Sequence, residues 1–117
     1  MVLSYTTSPA YHLIAEQKTQ YHAAPFTDGH GLQIEVAARL KNAPQPELAD
    51  AFMAFILSEE FQSVIPTGNW MYPVTSVPLP DEFSQLIQPA RSLIIDADEV
   101  NASKRSWLAE FNQALSK

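Results

Sequence analysis

The sequence of 117 residues contains no cysteine, which excludes disulfide bonds and thiolate metal sites. Glycine occurs only three times, and no glycine-rich phosphate-binding loop is present. No apolar run approaches the roughly 20 residues of a membrane-spanning helix. The first residues, MVLS, also lack the charged and apolar regions of a signal peptide. These absences argue against a disulfide scaffold, a phosphate-binding loop and a spanning helix.

Positive charge is scarce as well. The chain has 7 lysines and arginines against 13 aspartates and glutamates, a net charge of −6 with neutral histidines. An acidic chain without a basic cluster repels phosphate backbones, so no nucleic-acid partner is expected. Hydrophobic residues make up 46% of the chain, enough for a core in a single domain of this length.

The first third of the chain mixes strand-like and helix-like patterns. Residues 2–5 have the composition of a strand. A helix is expected to start at Ser8, which can cap it and which precedes a proline, and to run to about Lys18. After a loop at 22–31, residues 32–41 alternate apolar and polar side chains, which indicates a strand.

Helical spacing dominates the remainder. Helices are predicted over 47–57 and 58–65, the second with Ser58 as its cap, and a helical turn at 81–86. An extended apolar stretch that begins at 92 leads into a last helix. The apolar stripes of these helices are expected to form the core: Phe52, Phe55, Ile56, Trp107 and Phe111. Strands and helices are mixed without strict alternation, so the predicted fold class is α/β or α+β.

The segment IPTGNWMYPV, residues 65–74, concentrates large side chains where no helix is expected. Pro66, Gly68 and Pro73 interrupt helical geometry, so the segment is predicted to be a loop. Trp70 follows a Gly-Asn pair that can present its ring outward. An aromatic face without lysine or arginine suits a flat cationic ligand, through stacking and cation–π attraction. The competing interpretation is a buried aromatic corner.

The segment SYTTSPAY, residues 4–11, is a second candidate. Tyr5 is expected at a strand end and Tyr11 in the first turn or so of the next helix, where α/β proteins place ligand sites. The helix start offers backbone amides that favour anionic groups. The hydroxyls beside it could hold the phosphate end of a ligand: Thr6, Thr7 and Ser8.

Histidines support two weaker interpretations. His12 and Glu16 are spaced i,i+4, as two metal ligands on one helix face would be, but no third ligand has motif spacing. A small hydrolase or transferase that uses a histidine is the alternative from the enzyme class, although no G-x-S-x-G motif is present. We therefore expect no metal site and no catalytic residues.

Three blocks in order carry a specific resemblance. The stretch ELADAFMAFILSEEFQSVIPTGNWMYPV resembles the C-terminal region of periplasmic solute-binding proteins of ABC importers. Together with VLSYTTSPAYH and QIEVAAR, the block IPTGNWMYPV resembles more closely the thiamine-binding members of that group, over essentially the whole chain. The resemblance implies that Tyr5, Tyr11 and Trp70 enclose the rings of thiamine, thiamine monophosphate or thiamine diphosphate. The permanently charged thiazolium agrees with the cationic ligand suggested by the aromatic residues alone.

The resemblance also implies an architecture. Proteins of this kind have two lobes joined by crossing strands, a type II-like arrangement with the ligand in the cleft. The chain is expected to be a C-terminal fragment with incomplete lobes. Residues 1–22 would end one lobe, 23–41 would supply a loop and a crossing strand, and 42–117 would form the C-terminal part of the other lobe.

The expected function follows from the same resemblance. The parent protein would capture thiamine in the periplasm and deliver it to the membrane permease of an ABC importer, without catalysis or a cofactor. The runner-up is an importer receptor for another small charged solute. Open strand edges and apolar helix faces in the fragment are expected to make it self-associate.

Overall fold

The computed structural model describes residues 2–116. Within them the chain forms five α-helices, one 3₁₀ helix at Asp81–Gln85, and two short strands. The strands are β1, His30–Gly31, and β2, Ser92–Leu93. The α-helices are α1, Ser8–Ile14; α2, Pro46–Phe55; α3, Glu59–Gln62; α4, Ile65–Gly68; and α5, Ala97–Leu115. The predicted mixture of helices and strands is confirmed.

The contacts divide the chain into two compact units. The first runs to Pro25 and resumes from Ile34 to Gln88. The second contains Phe26–Gln33 and continues from Pro89.

A small apolar cluster holds the first unit together. Ala10 of α1 and Phe83 of the 3₁₀ helix are buried, with Leu86 beside them, and Trp70 packs against this cluster. Tyr72 meets Phe83 edge to face, with ring centroids 5.4 Å apart. The segment after α4 is therefore anchored to the core on both sides of Met71.

Helix α1 is shorter than predicted and starts differently. Thr7, not Ser8, occupies the position before the helix, and no side chain caps it. The helix ends at Ile14, and Gln17 takes the left-handed conformation with φ of 55°, which stops its continuation to Lys18. The predicted strand at 2–5 is wrong, because the backbone of these residues is irregular.

Gln62 links α3 to the chain on both sides of it. Its side-chain Nε2 donates to the carbonyl oxygen of Ile56 at 2.6 Å, and its Oε1 accepts from the backbone N–H of Val74 at 2.8 Å. Gln62 itself is 5% exposed, so its side chain is largely shielded from water in both hydrogen bonds. The predicted helix start at Ser58 is confirmed, since the Ser58 hydroxyl accepts from the N–H of Phe61.

The predicted strand over residues 32–41 is wrong. Alternation makes a strand only where a neighbouring backbone supplies hydrogen bonds, and in the described chain the ladder ends at Leu32, whose N–H donates to the carbonyl oxygen of Leu93. Beyond it the backbone is irregular, and Ile34, Val36 and Leu40 are 61, 86 and 76% exposed.

The second unit is built on β1 and β2, which pair in parallel with His30 opposite Ser92. Gly29 has φ of 111°, and a Cβ there would lie 2.8 Å from the carbonyl oxygen of Arg91, so only glycine fits this approach. Helix α5 is the predicted last helix, and it follows the stretch that begins at residue 92. The Asp96 carboxylate caps it by accepting from the N–H of Asp98 at 2.9 Å.

The predicted core stripes are wrong for the described chain. The side chains of Phe52 and Phe55 on α2 are 53 and 51% exposed, and those of Trp107 and Phe111 on α5 are 38 and 50% exposed. Helical spacing identifies an apolar face, but these faces are only partly covered, as where Phe55 meets the Phe61 ring of α3 edge to face at 5.4 Å. No helix within 2–116 has the length and apolarity needed to cross a membrane.

Candidate functional site

A cavity of about 410 Å³ lies in the first unit. Tyr5, Tyr11 and Trp70, the three aromatic residues singled out in the sequence, all contribute to its wall. The full lining is Ser4, Tyr5, Ser8, Tyr11, His12, Glu35, Asn69, Trp70 and Met71. The chain thus brings together three segments that lie far apart in the sequence.

Trp70 reaches the cavity because of the helix that precedes it. The prediction of a loop throughout 65–74 is wrong, since Pro66 fits the first turn of α4, where its missing N–H is no loss. The helix ends at Gly68, and Trp70 itself has φ of 56°, in the left-handed region. That conformation directs the indole onto Tyr11, with ring centroids 5.3 Å apart and planes at 81°. Trp70 is partly buried, so it serves both the cavity wall and the edge of the core.

Tyr5 and Tyr11 are held by the start of α1. The N–H of Ser8 donates to the carbonyl oxygen of Tyr5 at 3.1 Å, which closes a turn immediately before the helix. Tyr5 is 56% exposed and Tyr11 is 41% exposed, so both rings retain accessible surface. Two aromatic side chains are therefore presented by one turn and one helix.

The three hydroxyl residues of the TTSP segment are placed differently from one another. The Ser8 hydroxyl lines the cavity and pairs with the Ser4 hydroxyl at 2.6 Å. Thr7 is 8% exposed, and Thr6 is partly buried outside the lining. The N–H of Ala10 donates to the carbonyl oxygen of Thr7, and Pro9 has no N–H, so the helix start offers fewer amides than the sequence suggested.

His12 interacts with residues at and after the C-terminal end of α1. Its Nδ1 lies 2.6 Å from Oε2 of Glu16, and its ring stacks on Tyr21 at a centroid distance of 4.0 Å. The hydrogen bond from His12, followed by that from Lys18, holds the pKa of Glu16 below its ordinary value. Among residues 2–116, no three histidine, aspartate or glutamate side chains form a cluster that could hold a metal ion.

Sequence reasoning missed Glu35, Asn69 and Met71. Asn69 Nδ2 donates to Oε2 of Glu35 at 3.1 Å and lies 3.3 Å from the Met71 sulfur. The alternation of residues 32–36 was a usable signal, because it sets Glu35 on the side opposite Ile34. The pairing with Asn69, 34 positions away, required the fold.

The charge of the cavity suits a cation. Of the described residues that line it, Glu35 alone carries a carboxylate, and none is a lysine or an arginine. Aromatic faces attract positive charge through their quadrupoles, most strongly for tryptophan. The arrangement can therefore offer aromatic faces and one carboxylate to a flat, positively charged molecule.

The chain is similar in sequence to several known proteins. It is 52% identical over 117 residues to the thiamine-binding periplasmic protein of Escherichia coli strain K12, 44% over 119 residues to that of Brucella melitensis biotype 1, and 37% over 118 residues to that of Haemophilus influenzae. Each match takes in the whole of this chain but only 35–36% of the relative. No family model matches.

A solved structure agrees with these relatives. A periplasmic thiamin binding protein superimposes with a TM-score of 0.85 at 52% identity, covering 97% of this chain and 36% of its own. The chain spans about a third of the length of the curated relatives it matches and corresponds to their C-terminal part. Over its whole length the chain is thus homologous to one part of the periplasmic thiamine-binding proteins, and the resemblance predicted from its sequence is confirmed.

Proposed function

We propose that the chain is part of a periplasmic solute-binding component of an ABC importer, and that its cavity takes thiamine or a thiamine phosphate. One observation carries the proposal: Tyr5, Tyr11 and Trp70 line a single cavity in a chain that is 52% identical to a thiamine-binding periplasmic protein. The thiazolium ring is flat and permanently charged, so it matches aromatic walls without competing cations.

The task is capture rather than catalysis. Aromatic walls desolvate the ligand's rings, and polar side chains at the rim fix its orientation. We propose no catalytic role for His12, whose Nδ1 pairs with Glu16 and whose ring stacks on Tyr21, or for Ser8, whose hydroxyl pairs with that of Ser4. We propose no cofactor, and the bound vitamin leaves unchanged.

The phosphate end is proposed to lie beside Ser8, whose hydroxyl lines the cavity. Thr6 and Thr7 lie on the same turn outside the lining and would support it from behind.

The two-lobed arrangement belongs to the same proposal. Closure of the lobes over the vitamin would signal the membrane permease. The assignment of residues 1–22 and 42–117 to different lobes stays a prediction. In the chain itself, the residues up to Pro25 share one compact unit with Ile34–Gln88.

The test uses a grafted protein, the Escherichia coli relative with its matched segment replaced by this chain. Calorimetric titration with thiamine, thiamine monophosphate and thiamine diphosphate is compared with titration with choline and inorganic phosphate. We expect saturable binding of the thiamine compounds only, and recovery of each unaltered by chromatography.

Two results would contradict the proposal. Binding of choline as tightly as thiamine would favour a receptor for another charged solute. Conversion of the ligand, abolished by His12→Ala, would favour the enzyme alternative.

A further inference from the structure

Glu35 stands apart from the other residues of the cavity. It lies on the irregular segment after β1 and contributes the negative charge of the lining. The rest of the lining consists of aromatic, hydroxyl, amide and thioether groups and the imidazole of His12. A carboxylate among aromatic faces adds a full charge where the rings supply only quadrupoles.

Glu35 is also tied to the residue next to Trp70. Its Oε2 accepts a hydrogen bond from Asn69 Nδ2 at 3.1 Å, and Asn69 directly precedes the tryptophan in the chain. Trp70 is held in a left-handed conformation directly after Asn69, so the hydrogen bond on the Asn69 side chain lies next to the residue that aims the indole. The Glu35 carboxylate therefore gives the cavity its negative charge and also bonds the residue that precedes Trp70.

We propose that Glu35 is a specificity residue of this cavity, which selects a positively charged ring over an uncharged ring of the same shape and positions Trp70 through Asn69. The inference rests on the proposed function. Glu35 would act in two ways, through its negative charge and through its hydrogen bond to Asn69. Substitutions can separate these two contributions.

Glu35→Gln and Glu35→Ala separate the two parts. Glutamine removes the charge but keeps an oxygen that accepts from Asn69, whereas alanine removes both. The probes are thiamine and an analogue in which an uncharged thiophene replaces the thiazolium, each titrated into the grafted protein. Glu110→Gln is the matched control, since it makes the same charge change at an exposed position of α5 outside the cavity lining.

We expect Glu35→Gln to weaken thiamine binding roughly 3- to 10-fold, as for a solvent-screened ion pair, and to leave the thiophene analogue within about twofold. Glu35→Ala should weaken both ligands, because Trp70 then loses its positioning contact. Raising the salt concentration should shrink the wild-type preference for thiamine.

The outcomes separate the two proposals. If the unsubstituted grafted protein binds neither ligand, the proposed function is wrong and this inference falls with it. If it binds thiamine and Glu35→Gln leaves the thiamine-to-thiophene ratio unchanged, only the role of Glu35 is wrong. An equal loss for Glu110→Gln would assign the effect to net charge instead.

A readout without ligand tests the positioning part in the chain itself. The sequence has two tryptophans, so Trp107→Phe leaves Trp70 as the only indole. Glu35→Ala in this background should increase acrylamide quenching of Trp70, while Glu35→Gln should not. Equal quenching in both variants and in the parent would show that Glu35 does not position the ring.

Discussion

Tyr11 and Trp70 meet edge to face, with ring centroids 5.3 Å apart and planes at 81°. Such contacts contribute about 0.5–1.5 kcal/mol beyond the area they bury. The contact joins α1 to the residues after α4, so the two proposed walls of the site support each other.

Trp70→Ala in the grafted protein should weaken thiamine binding by about 1–3 kcal/mol, the loss expected for a stacked ring with cation–π character. Because Trp70 also packs against the buried cluster, the melting temperature without ligand should fall as well. Trp70→Phe should restore most of the stability but only part of the affinity. Trp107→Ala, outside the cavity lining, should leave the affinity unchanged. Unaltered affinity in Trp70→Ala would assign the indole to the core alone.

The phosphate end of the site is tested by Ser8→Ala and Thr7→Val. If these hydroxyls hold phosphate, the variants should reduce the affinity for thiamine diphosphate more than that for thiamine, with the larger change at Ser8, which lines the cavity. Calorimetry on both ligands measures the difference. An unchanged difference in both variants would mean that phosphate is held elsewhere.

Gln62→Met should destabilise the chain by roughly 1–3 kcal/mol, because it removes the buried side chain that bonds the carbonyl oxygen of Ile56 and the N–H of Val74. Denaturant unfolding of the chain provides the measurement. Gln113→Met, at an exposed position of α5, is the control and should change stability little. Equal stability of both variants would show that water replaces the Gln62 hydrogen bonds.

Acid should weaken the end of α1 through Glu16. The pKa of Glu16 is lowered from its ordinary value of 4.5, chiefly by the hydrogen bond from His12. A lowered folded-state pKa means that the stabilisation is complete above pH 4.5 and is lost as the pH falls through the lowered pKa. Glu16→Gln should therefore lose less of its melting temperature between neutral and acid pH than the parent chain does, whereas Glu110→Gln should follow the parent. A steeper loss in Glu16→Gln would contradict this linkage.

The chain alone should self-associate at low micromolar concentration. The apolar side chains of α2 and α5 are about half exposed, and among the described residues only Ala10, Phe83 and Leu86 are buried hydrophobics. Phe111→Lys should therefore shift light scattering toward the 13.0 kDa monomer. Gln113→Lys, two positions along and roughly 200° around the helix, should not. A parent chain that is already monomeric and well folded would show that these faces need no partner.

The sequence predicted correctly those features that depend on residues close together in the chain. The cap at Ser58 depends on side chains within a few positions of each other and appears as expected, and the last helix forms after the stretch that begins at residue 92. The gathering of Tyr5, Tyr11 and Trp70 followed from family resemblance, since nothing near any of them in the sequence indicates the others.

The incorrect predictions concern features that depend on residues far apart in the chain. The predicted strand at 32–41 has the right alternation, but a strand requires a neighbour, and in the described chain the ladder ends at Leu32. The stripes on α2 and α5 are amphipathic, but helical spacing shows only that a face is apolar. It does not show that another element packs against that face. Glu35 escaped notice because its importance comes from Asn69, which only folding brings near.

The left-handed backbone at Trp70 is a local strain that packing of the side chain has to offset. Glycine or asparagine adopts φ of 56° at little cost, whereas tryptophan is strained there by an amount of the order of 1 kcal/mol. The indole offsets this strain by packing against the cluster of Ala10, Phe83 and Leu86. A substitution by glycine at position 70 would therefore release backbone strain and remove core packing in one step, and the change in stability would be the difference between the two.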